Sequence, residues 1–232
     1  MKPKFGIVVF PGSNCDHDSF YALNKNLGYE TVFLWHKDSG LQNSDVIILP
    51  GGFSYGDYLR TGSIARFSPI MNSVIDFAKK GGIIIGICNG FQILLEAGLL
   101  PGVMLKNNSL KFICKNVYIK VVNKNTVFTS DIPKDVLELP IAHAEGNYFA
   151  DEDTIKQLED NDQIVFQYSS SDGKISGKWN PNGSKLNIAG IVNKKGNILG
   201  MMPHPERNCD PLLGNTDGTF IFNSLVSNLI TI

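Results

Sequence analysis

The sequence lacks any cysteine pair at metal-ligand spacing. Its four cysteines stand far apart, at positions 15, 88, 114 and 209, and no Cys-x-x-Cys motif occurs. A zinc ribbon or a disulfide-stapled small domain is therefore not indicated. The pattern is typical of a protein that works in a reducing compartment, and we expect a cytoplasmic location.

An excess of charge of one sign is also missing, since 21 Lys and Arg residues face 22 Asp and Glu residues without a basic stripe. Nucleic acid and an anionic membrane surface are therefore not expected partners. No stretch approaches the roughly 20 apolar residues of a membrane span. The apolar run near the start is too short for a signal peptide, because Pro11-Gly12 ends it. We expect a small molecule or a protein as the partner.

Strands and helices alternate through the first hundred residues. Strands are predicted over 5–10, 31–35, 46–49 and 83–87, and helices over 19–27, 69–80 and 89–97. This alternation predicts an α/β fold with a flavodoxin-like, doubly wound, mostly parallel sheet flanked by helices. A length of 232 residues is ample for one such unit, and a single domain over 1–232 is expected.

The second half of the chain has shorter apolar runs broken by turn residues. Strands are predicted over 112–114, 117–122, 164–168, 188–192 and 198–202, and helices over 151–159 and 220–230. We interpret most of these strands as hairpins packed at the side of the sheet. The stretch 141–148 is predicted to be a loop.

The most informative stretch surrounds Cys88, where the apolar run 83–87 meets a helical pattern that begins at Asn89. The frame Gly86-Ile-Cys-Asn-Gly90 has the form of a nucleophile elbow, in which glycines permit a sharp turn and a close approach. Its thiol is expected to point outward at a helix N-terminus, where partial positive charge favours the thiolate. A buried structural cysteine is the alternative.

A cysteine nucleophile needs a base that a third group holds in the right tautomer. His204 follows a predicted strand between two prolines, and Glu206 stands two positions further on. Residues two apart in an extended segment face the same side, so the carboxylate can reach one imidazole nitrogen while the other faces the thiol. Cys88, His204 and Glu206 are therefore our candidates for nucleophile, general acid/base and orienting group.

Other residues remain as alternatives to these three. His143 with Glu145 repeats the two-apart pattern and is the second candidate for the base. Cys15 is a poorer nucleophile, because neighbouring acidic residues would raise its pKa and no elbow surrounds it. His17 with Cys15 could begin a metal site, but no further ligand cluster completes one, and no metal is expected. His36 is more typical of a packed or hydrogen-bonded histidine.

Acyl chemistry also requires donors for an oxyanion. The backbone N–H of Asn89, just after the nucleophile, is one such donor, and Gly51-Gly52 at a neighbouring strand end could supply another. Gln92 lies four residues after Cys88, on the same helix face. It could bind a polar substrate, although a glutamine on a helix surface is the simpler interpretation.

Taken together, these motifs resemble those of the class I, triad-type glutamine amidotransferases, and in particular the glutaminase subunits of phosphoribosylformylglycinamidine synthases. The resemblance extends nearly from end to end and rests on an ordered set of loops. These loops are 86–94, 11–16, 51–60, 141–143, 180–184 and 201–207. One departure is visible, because the family usually has glycine where this chain has Ala144.

The resemblance implies hydrolysis of glutamine to glutamate and ammonia through a Cys88 thioester, with His204 delivering a proton to the ammonia. It further implies that backbone groups of Gly52 and Asn89 form the oxyanion hole and that Gln92 contacts the bound glutamine. The chain has no Gly-x-x-x-x-Gly-Lys-Ser/Thr phosphate loop, so no cofactor is expected here.

The partners implied by the resemblance are a large synthetase subunit, which would bind ATP with Mg²⁺ and formylglycinamide ribonucleotide, and a small bridging subunit. Two other interpretations are open: a different cysteine enzyme on the same frame, such as an intracellular peptidase or deglycase, and an inactive partner-binding subunit. The pair His204 and Glu206 argues against the first, and the intact triad against the second.

Overall fold

The computed structural model describes residues 2–230, and one nine-stranded sheet runs through it. The strands are β1 Lys4–Val9, β2 Glu30–Trp35, β3 Val46–Leu49, β4 Ile83–Ile87, β5 Val103–Leu105, β6 Ile113–Val121, β7 Val136–His143, β8 Asn147–Phe149, β9 Ile164–Ser169, β10 Ile188–Val192 and β11 Ile198–Met201. The helices are α1 Asp16–Phe20, α2 Pro69–Lys79, α3 Asn89–Glu96, α4 Glu152–Asp160 and α5 Gly218–Ile230. The order across the sheet is β2-β1-β3-β4-β11-β10-β9-β6-β7, while β5 and β8 form a separate pair.

The first five strands in this order are mutually parallel. Every residue of β3 and of β11 is buried, which is the burial expected of parallel strands covered by helices on both faces. The predicted α/β fold with helices flanking the sheet is confirmed. Because β1, β3, β4 and β11 point the same way, the loops after them meet at one edge of the sheet.

The second half contains the predicted antiparallel hairpins, but they join the sheet and do not pack against it. Strand β10 pairs with β11 and β6 with β7, and β10, β9, β6 and β7 extend the sheet through antiparallel pairing. The two short strands predicted over 112–114 and 117–122 form one strand, β6. The prediction of a loop over 141–148 was wrong, since this stretch contains the end of β7 and the first two residues of β8.

Strand β7 illustrates why the sequence was misleading here. It contains Pro140, which cannot donate a backbone hydrogen bond and is usually excluded from central strands. The residue is tolerated because β7 is the last strand of the sheet, so only one of its edges is paired. The alternation of buried and half-buried residues along β7 is otherwise regular.

The predicted helix over 19–27 begins earlier, at Asp16, and continues beyond Phe20 as a π-helical segment, Tyr21–Asn26. The helices predicted over 69–80 and 89–97 agree with α2 and α3 within one residue. Within residues 2–230, no helix is both long and apolar enough to cross a membrane.

Candidate active site

Cys88 occupies the turn between β4 and α3, with a backbone φ of 50° and ψ of −103°. A positive φ is uncommon for any residue with a side chain and marks a strained turn. Two glycines permit the turn: a Cβ added at Gly90 would lie 1.9 Å from the carbonyl oxygen of Leu49, and one at Gly86 would lie 2.7 Å from that of Gly90. The predicted strand–turn–helix geometry of the elbow is therefore confirmed. Glycine is required at positions 86 and 90 because neighbouring backbone atoms lie too close for a side chain.

The thiol of Cys88 does not point outward as predicted. Cys88 is 4% exposed, and its Sγ lies 3.8 Å from the carbonyl oxygen of Ala142 on β7. It borders a cavity of about 150 Å³ whose other lining residues are Gly52, Phe53, Asp57, Thr61, Gln92, Ala142, His143, Ala144 and Glu145. A small substrate would have to enter this cavity to reach the sulfur.

His204 and Glu206 form a buried pair at the end of β11. Nδ1 of His204 lies 2.7 Å from Oε1 of Glu206, and the backbone N–H of His204 donates to the carbonyl of Pro140. Burial lowers the pKa of His204, but the Glu206 carboxylate and the thiols of Cys88 and Cys15 outweigh it, so that the pKa lies well above 6.5. The Nε2 atom has no hydrogen-bond partner within residues 2–230.

The structure thus brings the three predicted triad residues together at one edge of the sheet. The arrangement gives a thiol, an imidazole close enough to interact with it, and a carboxylate on the far imidazole nitrogen. This is the geometry that nucleophilic acyl transfer requires. The catalytic roles of Cys88, His204 and Glu206 stay predictions.

Cys15 lies closer to this pair than the sequence suggested. It is 2% exposed, its Sγ accepts a hydrogen bond of 3.0 Å from Nη2 of Arg207, and one side-chain atom each of Cys15, His204 and Glu206 lie within 4.8 Å of one another. A metal ion there would have to displace both the Arg207 contact and the bond between His204 and Glu206. His17 lies outside the group, with its exposed ring against Asp16.

The candidate oxyanion donors lie on two neighbouring turns. Gly52 has a φ of 134°, and a Cβ added there would lie 2.7 Å from the backbone nitrogen of Asn14. The loop after β1 holds this turn, because Gly12 accepts from Phe53 and Gly51 accepts from Cys15. The N–H of Asn89 is the first of α3, where backbone donors have no partner within the helix.

The side chains of Asn89 and Gln92 bind protein groups. Asn89 donates to Oε1 of Gln92 at 2.9 Å, and its own oxygen accepts from the backbone of Ser54. Gln92 donates to the carbonyl of Glu145 at 2.6 Å. Gln92 borders the cavity as well, so its predicted contact with substrate stays a prediction, while its visible role is to brace the loop after β7.

Two acidic residues border the cavity, Asp57 and Glu145, and sequence reasoning assigned neither of them a role in binding substrate. Burial first, and then repulsion from Glu145, raise the pKa of Asp57 to about 6, although hydrogen bonds from Asn89 and Gly62 oppose the shift. Glu145 accepts a hydrogen bond of 3.0 Å from Thr61. Asp57 lies within the quoted motif 51–60, but the motif alone assigned it no role. The pair gives the cavity a negatively charged wall.

His143 does not form the pair with Glu145 that the two-apart pattern suggested. Its Nδ1 lies 3.1 Å from Oδ1 of Asn107, and burial followed by the nearby His204 lowers its pKa to about 4. Within residues 2–230, it thus has no carboxylate to support it as a base. Ala144, the departure from the family pattern, does not have a positive φ, and its carbonyl accepts from Asn107. The backbone at this position therefore does not require glycine.

His36 agrees with the prediction of a packed, hydrogen-bonded histidine. It is 5% exposed, and its Nδ1 lies 2.8 Å from the hydroxyl of Tyr55. Tyr55 itself has a positive φ of 56°, so this contact helps to hold the loop that carries Asp57.

Comparison with known proteins gives one consistent result. Residues 2–219 match the family of CobB/CobQ-like glutamine amidotransferase domains. The phosphoribosylformylglycinamidine synthase subunit PurQ of Salinibacter ruber is 52% identical over 99% of this chain and 98% of its own length. That of Moorella thermoacetica is 58% identical over 96% of this chain and 95% of its own length.

Solved structures agree with these relatives. A chain in the structure of PurLQS from Thermotoga maritima is 42% identical and matches with a TM-score of 0.86, covering 99% of this chain and 100% of that one. The chain therefore belongs to the CobB/CobQ-like glutamine amidotransferase family and, within it, to the phosphoribosylformylglycinamidine synthase subunits PurQ.

Proposed function

We propose that this chain, acting as a single glutamine amidotransferase domain, hydrolyses the side-chain amide of L-glutamine to glutamate and ammonia. The ammonia serves a separate ATP-dependent synthetase subunit that converts formylglycinamide ribonucleotide to formylglycinamidine ribonucleotide in purine biosynthesis. The observation that carries the proposal is the buried pair of His204 and Glu206 beside the Cys88 elbow, in a chain that belongs to the PurQ subunits.

The reaction begins with transfer of the thiol proton of Cys88 to His204, and Sγ then attacks the amide carbon. The oxygen of the tetrahedral intermediate carries a negative charge, which the backbone donors of Gly52 and Asn89 stabilise. The carbon–nitrogen bond then breaks as His204 returns its proton to the departing nitrogen. Ammonia leaves, and the glutamyl group remains on Cys88 as a thioester.

Water completes the cycle. His204 takes a proton from the water as its oxygen attacks the thioester carbon, and the carbon–sulfur bond then breaks to release glutamate as the proton returns from His204 to the sulfur of Cys88. Glu206 holds the imidazole in one orientation and stabilises its positive charge in both halves, consistent with the raised pKa of His204.

The acidic wall of the cavity suits the other end of the substrate. Asp57 and Glu145 border the same cavity as Cys88 and can bind the α-ammonium group of glutamine. Charge-assisted hydrogen bonds of this kind are about twice as strong as neutral ones. Binding of the ammonium group would favour ionised Asp57, whose pKa is otherwise raised by its carboxylate neighbour.

Ammonia released into water would be protonated and diluted, so the glutaminase should pass it on through a protein interface. The proposed partners are a large synthetase subunit and a small bridging subunit, in line with the related chain found in PurLQS. ATP and Mg²⁺ belong to the synthetase, and no cofactor or metal is proposed for this chain. A cytoplasmic location is part of the same proposal.

The first test is covalent labelling. A glutamine-analogue diazo ketone should alkylate Cys88 and leave Cys15 unmodified, as read by peptide mass spectrometry. Labelling of Cys15 instead would overturn the assignment of the nucleophile.

The second test measures glutamate release by the chain alone and after assembly with the synthetase and bridging subunits. If the glutaminase is coupled to the synthetase, assembly should increase the rate of glutamate release. Full, unregulated activity of the isolated chain would contradict this coupling, and hydrolysis of peptides or glycated amines in place of glutamine would favour a peptidase or deglycase.

A further inference from the structure

His143 is a buried histidine that the reaction described above does not use. It is 3% exposed, it ends β7, and it borders the cavity that contains Cys88. Its Nδ1 contacts Asn107, but its Nε2 is buried without a hydrogen-bond partner within residues 2–230. An unpaired buried polar atom is unfavourable, so its position beside a cavity indicates that a ligand supplies the partner.

Asn107 determines which nitrogen of His143 carries the proton. Both hydrogens of the Asn107 amide are engaged, one with the carbonyl of Lys111 and one with that of His143. The Oδ1 atom, which also accepts from the backbone of Gly146, can therefore only accept from His143. The hydrogen lies on Nδ1, and Nε2 retains a free lone pair.

The position of the His143 ring and its protonation state are also determined by its surroundings. It packs directly on Gly146, where an added Cβ would lie 2.2 Å from Cε1. Burial, reinforced by the positive charge of His204, lowers the pKa of His143 to about 4, so the imidazole is neutral near pH 7. Nε2 is therefore an uncharged acceptor that requires a hydrogen-bond donor from the cavity.

His143 lies close to the reacting end of the cavity. The carbonyl of the preceding residue, Ala142, contacts the sulfur of Cys88 at 3.8 Å, and His204 is close enough to affect the pKa of His143. Asp57 and Glu145 suit a charged ammonium group, whereas a neutral nitrogen acceptor suits a neutral N–H donor. The substrate group that Cys88 attacks has such a donor, the carboxamide NH₂.

We propose that Nε2 of His143 accepts a hydrogen bond from the carboxamide NH₂ of glutamine and thereby selects the amide over a carboxylate or an ester. The proposal rests on the proposed glutaminase function. The γ-carboxylate of the product glutamate has no hydrogen to donate. Its oxygen lone pairs would therefore face the lone pair of Nε2, and the product would bind poorly. His143 is thus a specificity-determining residue, while His204 remains the acid/base group.

The test compares two substrates in the assembled complex: glutamine and the γ-methyl ester of glutamate, which has no N–H at the reacting carbonyl. The variant His143→Phe keeps a flat ring on Gly146 but removes the acceptor. We expect kcat/KM for glutamine to fall roughly ten- to a hundredfold, and kcat/KM for the ester to change by less than about threefold. The Ki of glutamate should decrease in the variant.

The matched control is His17→Phe, which changes an exposed histidine away from the cavity. This variant should leave kcat/KM unchanged for both substrates. An equal loss for glutamine and the ester, or unchanged glutamine kinetics, would overturn the role of His143. If the unmodified complex hydrolyses neither substrate, the proposed function itself fails, so the two failures can be told apart.

A second measurement does not depend on the folding of His143→Phe. In the inactive variant Cys88→Ala, ¹⁵N NMR should show an unprotonated Nε2 for His143 near pH 7. Addition of glutamine should move this signal, and addition of glutamate should leave it in place. A protonated Nε2, or no response to glutamine, would contradict the proposal.

Discussion

Nδ1 of His204 lies 2.7 Å from Oε1 of Glu206, and the two side chains are 1% and 0% exposed. A histidine and a carboxylate this deeply buried interact strongly, because little solvent screens them. Since the native pKa of His204 is raised, the pair stabilises the fold fully below about pH 6.5, and this contribution is lost as the pH rises through the native value.

We expect Glu206→Gln to lower kcat for glutamine by roughly 10²- to 10⁴-fold with a smaller change in KM, as for the equivalent change in other triads. The amide leaves the imidazole without its negative partner, so the pKa of His204 should fall. Steady-state glutaminase kinetics across pH measure both effects. A kcat within about twofold of the unmodified enzyme would exclude Glu206 as the orienting group.

The two cysteines near His204 should respond differently to substitution. Cys88→Ala should abolish glutaminase activity, because no thioester can form, whereas Cys15→Ala should largely retain it. Glutamate release and trapping of the thioester with labelled glutamine are the measurements. Loss of the thioester in Cys15→Ala, with the fold intact by circular dichroism, would contradict the assignment.

Asp57 should set an acidic limb in the pH profile. Its pKa is about 6, so kcat/KM for glutamine should fall as the pH drops through 6, because the neutral acid no longer pairs with the substrate ammonium group. Asp57→Asn should remove this limb and raise KM roughly tenfold to a hundredfold. Thr61→Ser, which keeps the hydroxyl that contacts Glu145, is the control. If kcat/KM of Asp57→Asn still falls as the pH drops through 6, another group is responsible for the fall.

Gly90→Ala should destabilise the fold, since the added Cβ would lie 1.9 Å from the carbonyl oxygen of Leu49. Overpacking of this kind typically costs about 1–3 kcal/mol or more of the free energy of unfolding. Gly177→Ala is the matched control, because no atom of the described residues 2–230 lies within 4 Å of a Cβ added there. Urea denaturation of both variants measures the difference. Equal stability would mean that the elbow can relax around the added methyl group.

The parallel half of the sheet could be predicted well from the sequence. The runs at β3 and β4 have the predicted bounds, because apolar runs rich in β-branched residues between turn signals leave few alternatives. The edge strand β7 could not be predicted from the sequence, because a proline within a strand is acceptable only where no other strand pairs with that edge. That information is not local in the chain.

The sequence by itself determined the Cys88 elbow and the candidate pair His204 and Glu206, because spacing within a strand or a turn fixes which side chains share a face. Only the tertiary structure decided what surrounds them. Asp57 reaches the cavity through a loop with three consecutive residues at positive φ, 55 to 57. The tautomer of His143 is set by Asn107, 36 residues away in the chain. Such contacts depend on how distant segments pack, and local patterns do not contain them.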